Sequence, residues 1–336
     1  MLKQISYTLL LFFVILSVKG QDPQFTQFYA APMYLNPAFT GLTYEHRFTM
    51  NARDQWPGVN TAYKTIMATY DYNLSDVNSG IGGFFLQDVA GTSRLVTQQS
   101  GINFSYRVKV NKYSEFRMGA MAAITKKKFD YNRLIFNDQL SLNNSPAALS
   151  NEPRDDGKVN YLDLGLGSLY NSTNYWFGIS AKHLNQPNTS MTGGILPMPI
   201  YFSAHGGYRY IITARGAGRT KLEEFVSASV NYRRENRYDQ LDIGAYYFKS
   251  FLNVGLWYRG LPFKKYKPGY SNRESIAALV GLEIPDKNFR IGYSYDVTVS
   301  KLGINNTQGA HEISLVFEMA KKRKRNKRSL VSCPKF

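Results

Sequence analysis

The chain has 336 residues, 43% of them hydrophobic and 15% aromatic, with 25 Tyr and 21 Phe, and a mean hydropathy of −0.34. That is room for two ordinary domains or one large β-barrel, and it excludes a bundle of membrane-spanning helices. The formal net charge of +17 is unevenly placed, since seven basic residues fall within Lys321–Arg328, and the single cysteine, Cys333, rules out an intramolecular disulfide.

Residues 1–20 read as a secretory leader: Lys3 supplies the basic start, Leu9–Leu16 the apolar core, and Ser17–Gly20 a small-residue exit before Gln21. The apolar run is shorter than the ~20 residues a spanning helix needs. No cysteine comes directly after the exit, so a lipidated N-terminus is not expected. Residues 21–43 contain Pro23, Pro32 and Pro37 and keep no clean period. They are expected to form an ordered segment with one short helical turn, packed against or into the remainder of the chain.

From Tyr44 the hydrophobic pattern alternates and scarcely stops. Phe48, Met50 and Ala52 alternate with Arg47, Asn51 and Arg53, and Ile66, Ala68, Tyr70 and Tyr72 with Thr65, Thr69 and Asp71. The same period runs through 80–88, 95–109 (Ile102, Phe104, Tyr106) and 115–127 (Phe116, Met118, Ala120, Ala122, Ile124). It is clearest over Tyr161–Pro187, where Leu162, Leu164, Leu166 and then Tyr175, Phe177, Ile179, Ala181 take alternate positions around a turn at 171–174. Further strands are expected near 199–212, 223–234, 240–249, 251–259, 275–285, 288–297 and 309–320. Runs of this length with aromatics gathered at their ends fit an antiparallel transmembrane β-barrel of about 14 strands, spanning 44–320.

The connections supply a second test. Those at 128–158, 185–198, 260–274 and 298–308 are long, and those at 110–114, 171–174, 250 and 286–287 are short. Short periplasmic turns alternating with longer external loops is the outer-membrane pattern. The connections 213–222 and 235–239 break it. Residues 321–336 then form a basic tail on the periplasmic side.

Little in the sequence points to chemistry. His46, His183, His205 and His311 lack metal-ligand spacing with one another or with Cys333, so neither a metal nor another cofactor is indicated. Ser203 and His205 lie at i and i+2 on one strand, an arrangement found in barrel lipases. With no third member or oxyanion donor evident, they read as two lumen-facing polar residues, and no enzyme is expected. Gly80, Gly82, Gly83, Gly165 and Gly167 precede no helix and mark bends or tight lumen packing rather than a phosphate loop. The inward positions read as small or polar, without a charge ladder.

The tail residues Lys321, Lys322, Arg323, Lys324, Arg325, Lys327 and Arg328 admit nucleic-acid binding, simple solvation or docking on an acidic partner. An exported envelope protein meets little nucleic acid. The apolar patch and ending Cys333, Pro334, Phe336 favour docking over pure solvation.

Several stretches resemble one known family. They are Gln21–Phe28 (QDPQFTQF), Asn36–Gly41 (NPAFTG), Arg53–Gly58 (RDQWPG), Ser180–Pro187 (SAKHLNQP, with His183, Asn185 and Pro187 at the external rim) and the ending Cys333–Phe336 (CPKF). In combination they resemble the PorP/SprF membrane proteins of the type IX secretion and gliding machinery of Bacteroidetes. The resemblance implies an outer-membrane barrel that assists a secreted surface protein, such as a large adhesin with a type-B C-terminal sorting domain. It also implies contacts with the periplasmic secretion ring or peptidoglycan-binding proteins, besides outer-membrane lipids. The family motifs carry no catalytic assignment. The second class left open is a porin or hydrophobic-solute transporter, and a basic periplasmic tail is the feature a simple porin does not need.

Overall fold

The computed structural model describes residues 22–42, 45–59, 62–91, 94–134, 139, 157–215, 222–267, 270–284 and 288–319. The expected leader and the basic tail lie outside them. The strands are β1 His46–Gln55, β2 Tyr63–Leu74, β3 Ser79–Ala90, β4 Leu95–Lys109, β5 Ser114–Lys128, β6 Lys158–Ser172 and β7 Tyr175–Lys182. They continue as β8 Tyr201–Arg215, β9 Leu222–Glu235, β10 Tyr238–Lys249, β11 Leu252–Lys267, β12 Tyr270–Ile284, β13 Phe289–Thr298 and β14 Ala310–Met319. Each pairs antiparallel with its sequence neighbours, and β1 pairs with β14 from His46↔Met319 to Gln55↔Ala310, closing a 14-stranded barrel. Closure leaves no open sheet edge, the condition for backbone to cross a bilayer as strands.

Period two decides which way each side chain points. The outward set includes Phe48, Ile66, Ile102, Phe104, Leu162, Leu166 and Phe177, all exposed. The inward set includes Arg47, Arg53, Asp71, Asn103, Arg117, Asp163, Ser203, Asp242, Asp296 and Glu312, all buried. Apolar side chains outside and polar ones inside invert a soluble barrel, and lipid is the solvent that fits.

Two readings of the sequence change. Residues 260–274 are not a long loop, because β11 runs to Lys267 and β12 starts at Tyr270. Pro262 and register shifts at Arg259/Gly260 and Leu261/Lys265 break the alternation there while the two strands stay paired. The lumen also carries many charges, with Arg47–Asp71, Arg53–Asp296 and Arg259–Asp242 ion pairs inside it. Most strands contribute only one or two such residues (β5, with Glu115, Arg117 and Lys127, has three), so no single run displays the ladder that closure assembles.

Among the described residues, the His46/Met319 end of the barrel carries two- to four-residue connections such as 75–78, 110–113, 173–174 and 250–251, while the long connection 183–200 lies at the other end beside the two-residue turn 236–237. Short turns place the first end in the periplasm.

Candidate functional site

The interior is occupied by the chain's own residues 22–42. This segment comprises a 3-10 turn at Phe28–Ala30, the one-turn helix α1 Pro32–Leu35 and a second 3-10 turn at Pro37–Phe39. Prolines at the first helical positions suit helix starts, while Pro23, Pro32 and Pro37 keep the segment from becoming a strand. Phe25, Phe28, Met33, Ala38, Phe39 and Leu42 are all buried, so the apolar core of this protein is the segment packed within its own barrel.

Three clusters fix the segment to the wall. At the first, the Glu312 carboxylate accepts from the Thr26 and Gln27 backbone N–H groups at 2.7 and 3.0 Å. The Thr26 hydroxyl donates to Asp296 at 2.6 Å and accepts from Arg53 and Arg259 at 2.6 and 3.0 Å. Gln27 accepts from Ser314 and donates to the Glu312 carbonyl, at 2.6 and 3.0 Å. Phe28 meets Trp257 edge-on at 4.8 Å.

At the second cluster the Asn36 side-chain amide donates to the carbonyls of Ser168 and Ile179 at 2.9 and 3.1 Å, and its oxygen caps Ala38 N–H at 2.8 Å. Arg117 donates to the carbonyls of Ala38 and Thr40 at 3.1 and 2.7 Å. Gly41 N–H donates to Asp71, whose carboxylate is held by Arg47 at 2.8 Å. These buried charged donors and acceptors are paired throughout, as desolvated charges must be.

Small wall residues make the fit possible. A side-chain carbon at Gly119 would strike the Ala38 backbone, one at Gly167 the Asn36 side chain, and one at Gly80 the Thr40 carbonyl. Gly41, at φ +62, lies against Gly80 so closely that a Cβ on it would stand 2.7 Å from the Gly80 Cα.

The third cluster lies at the outer mouth. His183 sits between Asp163 (2.9 Å) and Asp22 (3.2 Å), and Lys182 stands 3.7 Å from Asp22 and over the Tyr34 ring. Burial alone would lower the His183 pKa, but the two carboxylates outweigh it and raise it to about 9. The same contacts hold the Asp22 carboxyl well below its ordinary range despite its burial.

A group whose folded pKa is raised stabilises fully below its unfolded value, and the contribution is lost as pH rises through the folded value. Between pH 7 and 10 the Asp22 end of the segment is therefore expected to loosen while the Gly41–Asp71 end holds. A spin label at Gln24→Cys in a Cys333→Ser background should gain mobility over that range. In His183→Gln the mobility should depend less on pH, the remainder coming from Lys182 and Glu235 beside Asp22.

The external-rim residues fall in different places. Asn185 lies on the outer wall, where its side chain accepts from Leu164 N–H at 3.1 Å and donates to the Leu162 carbonyl at 2.6 Å. It continues the β6 ladder above the point where the eight-residue β7 stops. The Pro187 carbonyl accepts from Met198 N–H at 3.0 Å, closing the loop above it. The tail residues Lys321–Arg328, Cys333, Pro334 and Phe336 lie outside the described residues.

Ser203 and His205 face the lumen but serve the packing: Ser203 bonds Ser180 at 2.8 Å, and the His205 ring stacks on Phe39 and stands 3.3 Å from the Asn36 amide. Among the described residues no cluster of three His, Cys, Asp or Glu side chains is placed to hold a metal. The wall anchors Glu312, Asp296, Arg117 and Asp71 stood out nowhere in the sequence. Their partners Thr26, Gln27, Ala38, Thr40, Gly41 and Arg53 all lie within the stretches that carried the resemblance.

At the same mouth a recess of about 340 Å³ opens between Asp22, Arg233, Arg237, Lys264, Arg273 and Glu274. Arg233 is paired to Asp242 at 2.6 Å, and Arg237 and Arg273 are exposed.

A closed barrel with an apolar exterior, short turns at one end and a polar interior is an integral outer-membrane protein. The chain matches the family described as type IX secretion system membrane protein PorP/SprF over residues 17–317, and it belongs to that family. No curated protein matches it. Among solved structures it is similar to the Pseudomonas putida toluene transporter TodX, at 12% identity and a TM-score of 0.47, covering 85% of this chain and 92% of that one. It is also similar to the Acinetobacter baumannii outer membrane protein Omp33, at 9% identity and a TM-score of 0.45, covering 83% of this chain and 100% of that one.

Proposed function

We propose that this protein serves type IX secretion and gliding by binding rather than by conducting. In this reading it is an outer-membrane platform that helps a secreted surface protein, such as a large adhesin with a type-B sorting domain, reach or stay on the cell surface. The observation that carries the reading is the occupied lumen. A diffusion channel needs a continuous aqueous path, whereas here residues 22–42 run from the Lys182–His183 mouth to the Arg47–Asp71 rim and are tied to the wall at both ends.

The two faces of the barrel divide the work. In this reading the basic residues Lys321–Arg328, which follow the last strand in the sequence, serve the periplasmic side, suited to acidic or peptidoglycan-associated partners of the secretion ring. The external loops and the arginine-lined mouth face the exported protein.

Deleting Lys321–Phe336 is expected to leave the barrel inserted and heat-modifiable on gels while abolishing co-purification of periplasmic partners from native membranes. Unchanged co-purification would remove the docking role.

A further inference from the structure

The outer wall has one surface that differs from a plain apolar band. On β5 the outward positions Ala120 and Ala122 form the floor of a furrow of about 540 Å³. Their register neighbours, Phe104 and Ile102 on β4 and Leu166 and Leu164 on β6, form its sides. Leu184 and Asn185 cover its external end, where the Asn185 amide completes the β6 ladder.

The band ends at the facing pair Ile124↔Leu162, and the next outward pairs are Lys126↔Asn160 and Lys128↔Lys158. All four of these polar residues are exposed. Lys126 lies four residues beyond Ala122, about 13 Å along a strand at ~3.3 Å per residue. Three ammonium groups thus gather at the external headgroup level, beyond the Ile124–Leu162 pair that separates them from an apolar slot floored by Ala120 and Ala122.

We infer that this surface is a stoichiometric binding site for a phosphorylated glycolipid of the outer leaflet. Lys126 and Lys128, with Lys158 opposite, bind its phosphate, Asn160 hydrogen-bonds its sugar, and one acyl chain lies in the Ala120–Ala122 furrow. The slot makes the difference from diffuse attraction of anionic lipid. Elsewhere on this stretch of wall the outward residues are large (Met118 and Ile124 on the same strand), and acyl chains pack against a flat surface. The site places a bound lipid beside the 183–200 loop, so it also braces the wall where β7 is short.

The test uses the full chain purified from its native outer membrane. Native mass spectrometry should find one phosphoglycolipid retained per chain. After delipidation, titration with lipid A in mixed micelles should saturate at one equivalent, and phosphatidylglycerol should neither saturate nor compete. Lys126→Gln/Lys128→Gln should weaken the lipid A titration by about 30-fold, the effect of two cations at a charged membrane surface. Ala122→Phe, which fills the furrow without touching a charge, should weaken it as well. Both changes face lipid, and heat-modifiability checks that each variant has folded. Equal competition by phosphatidylglycerol, or an unchanged titration in the folded lysine variant, would overturn the site. Loss in the lysine variant with none in Ala122→Phe would overturn the acyl-chain assignment.

Discussion

Arg53→Ala is expected to release the Phe25–Phe28 stretch from the wall, at a cost of about 3–5 kcal/mol in its docking, the usual effect of stripping one partner from a buried charge cluster. Arg53 spans Asp296 at 2.8 Å and Glu312 at 3.3 Å, and all three side chains are nearly inaccessible. Removing the guanidinium leaves two buried carboxylates, of which Arg259 reaches only Asp296. Glu312 must then take up a proton or draw in water, and either weakens its hold on the Thr26 and Gln27 amides. Spin-label mobility at position 24 would report the release. Because the loss comes mainly from the stranded charge, adding Glu312→Gln to the arginine variant should recover part of it. A purely additive double variant would show that the cluster is not a unit.

Gly119→Val should act on the other half of the segment and more completely. The new side chain would occupy the place of the Ala38 backbone, and a backbone cannot step aside by changing rotamer. Ordinary overpacking costs ~1–3 kcal/mol, but here the carbonyls of Ala38 and Thr40 also lose Arg117. Gly83→Ala is the control, since its Cβ would approach only the Gly101 carbonyl, at 3.7 Å. The expected reading is strong protease sensitivity within residues 22–42 in Gly119→Val and none in Gly83→Ala.

The barrel was legible because its physics is local. Alternation along each strand, as in Leu162–Leu164–Leu166 against Asp163–Gly165–Gly167, states which side meets lipid, and the strand count comes from repeating that reading. The β11–β12 hairpin was not legible as a hairpin, because Pro262 and the bulges around Gly260 destroy the period while the strands stay paired. The anchoring of the segment was half legible. Pro23, Pro32 and Pro37 mark residues 21–43 as something other than a strand, but a partnership such as Thr26–Glu312 spans 286 positions. No local pattern announces a contact of that separation. The small inward residues were visible as glycines, while what they make room for was not.

The measurement that bears most directly on binding rather than conduction is single-channel recording of the full chain in planar bilayers, beside Gly119→Val. The wild type is expected to insert without steady conductance, and the variant to open a pore as its segment leaves the lumen. A wild type that conducts ions stably at the level of the variant would contradict the account and return the protein to the porins.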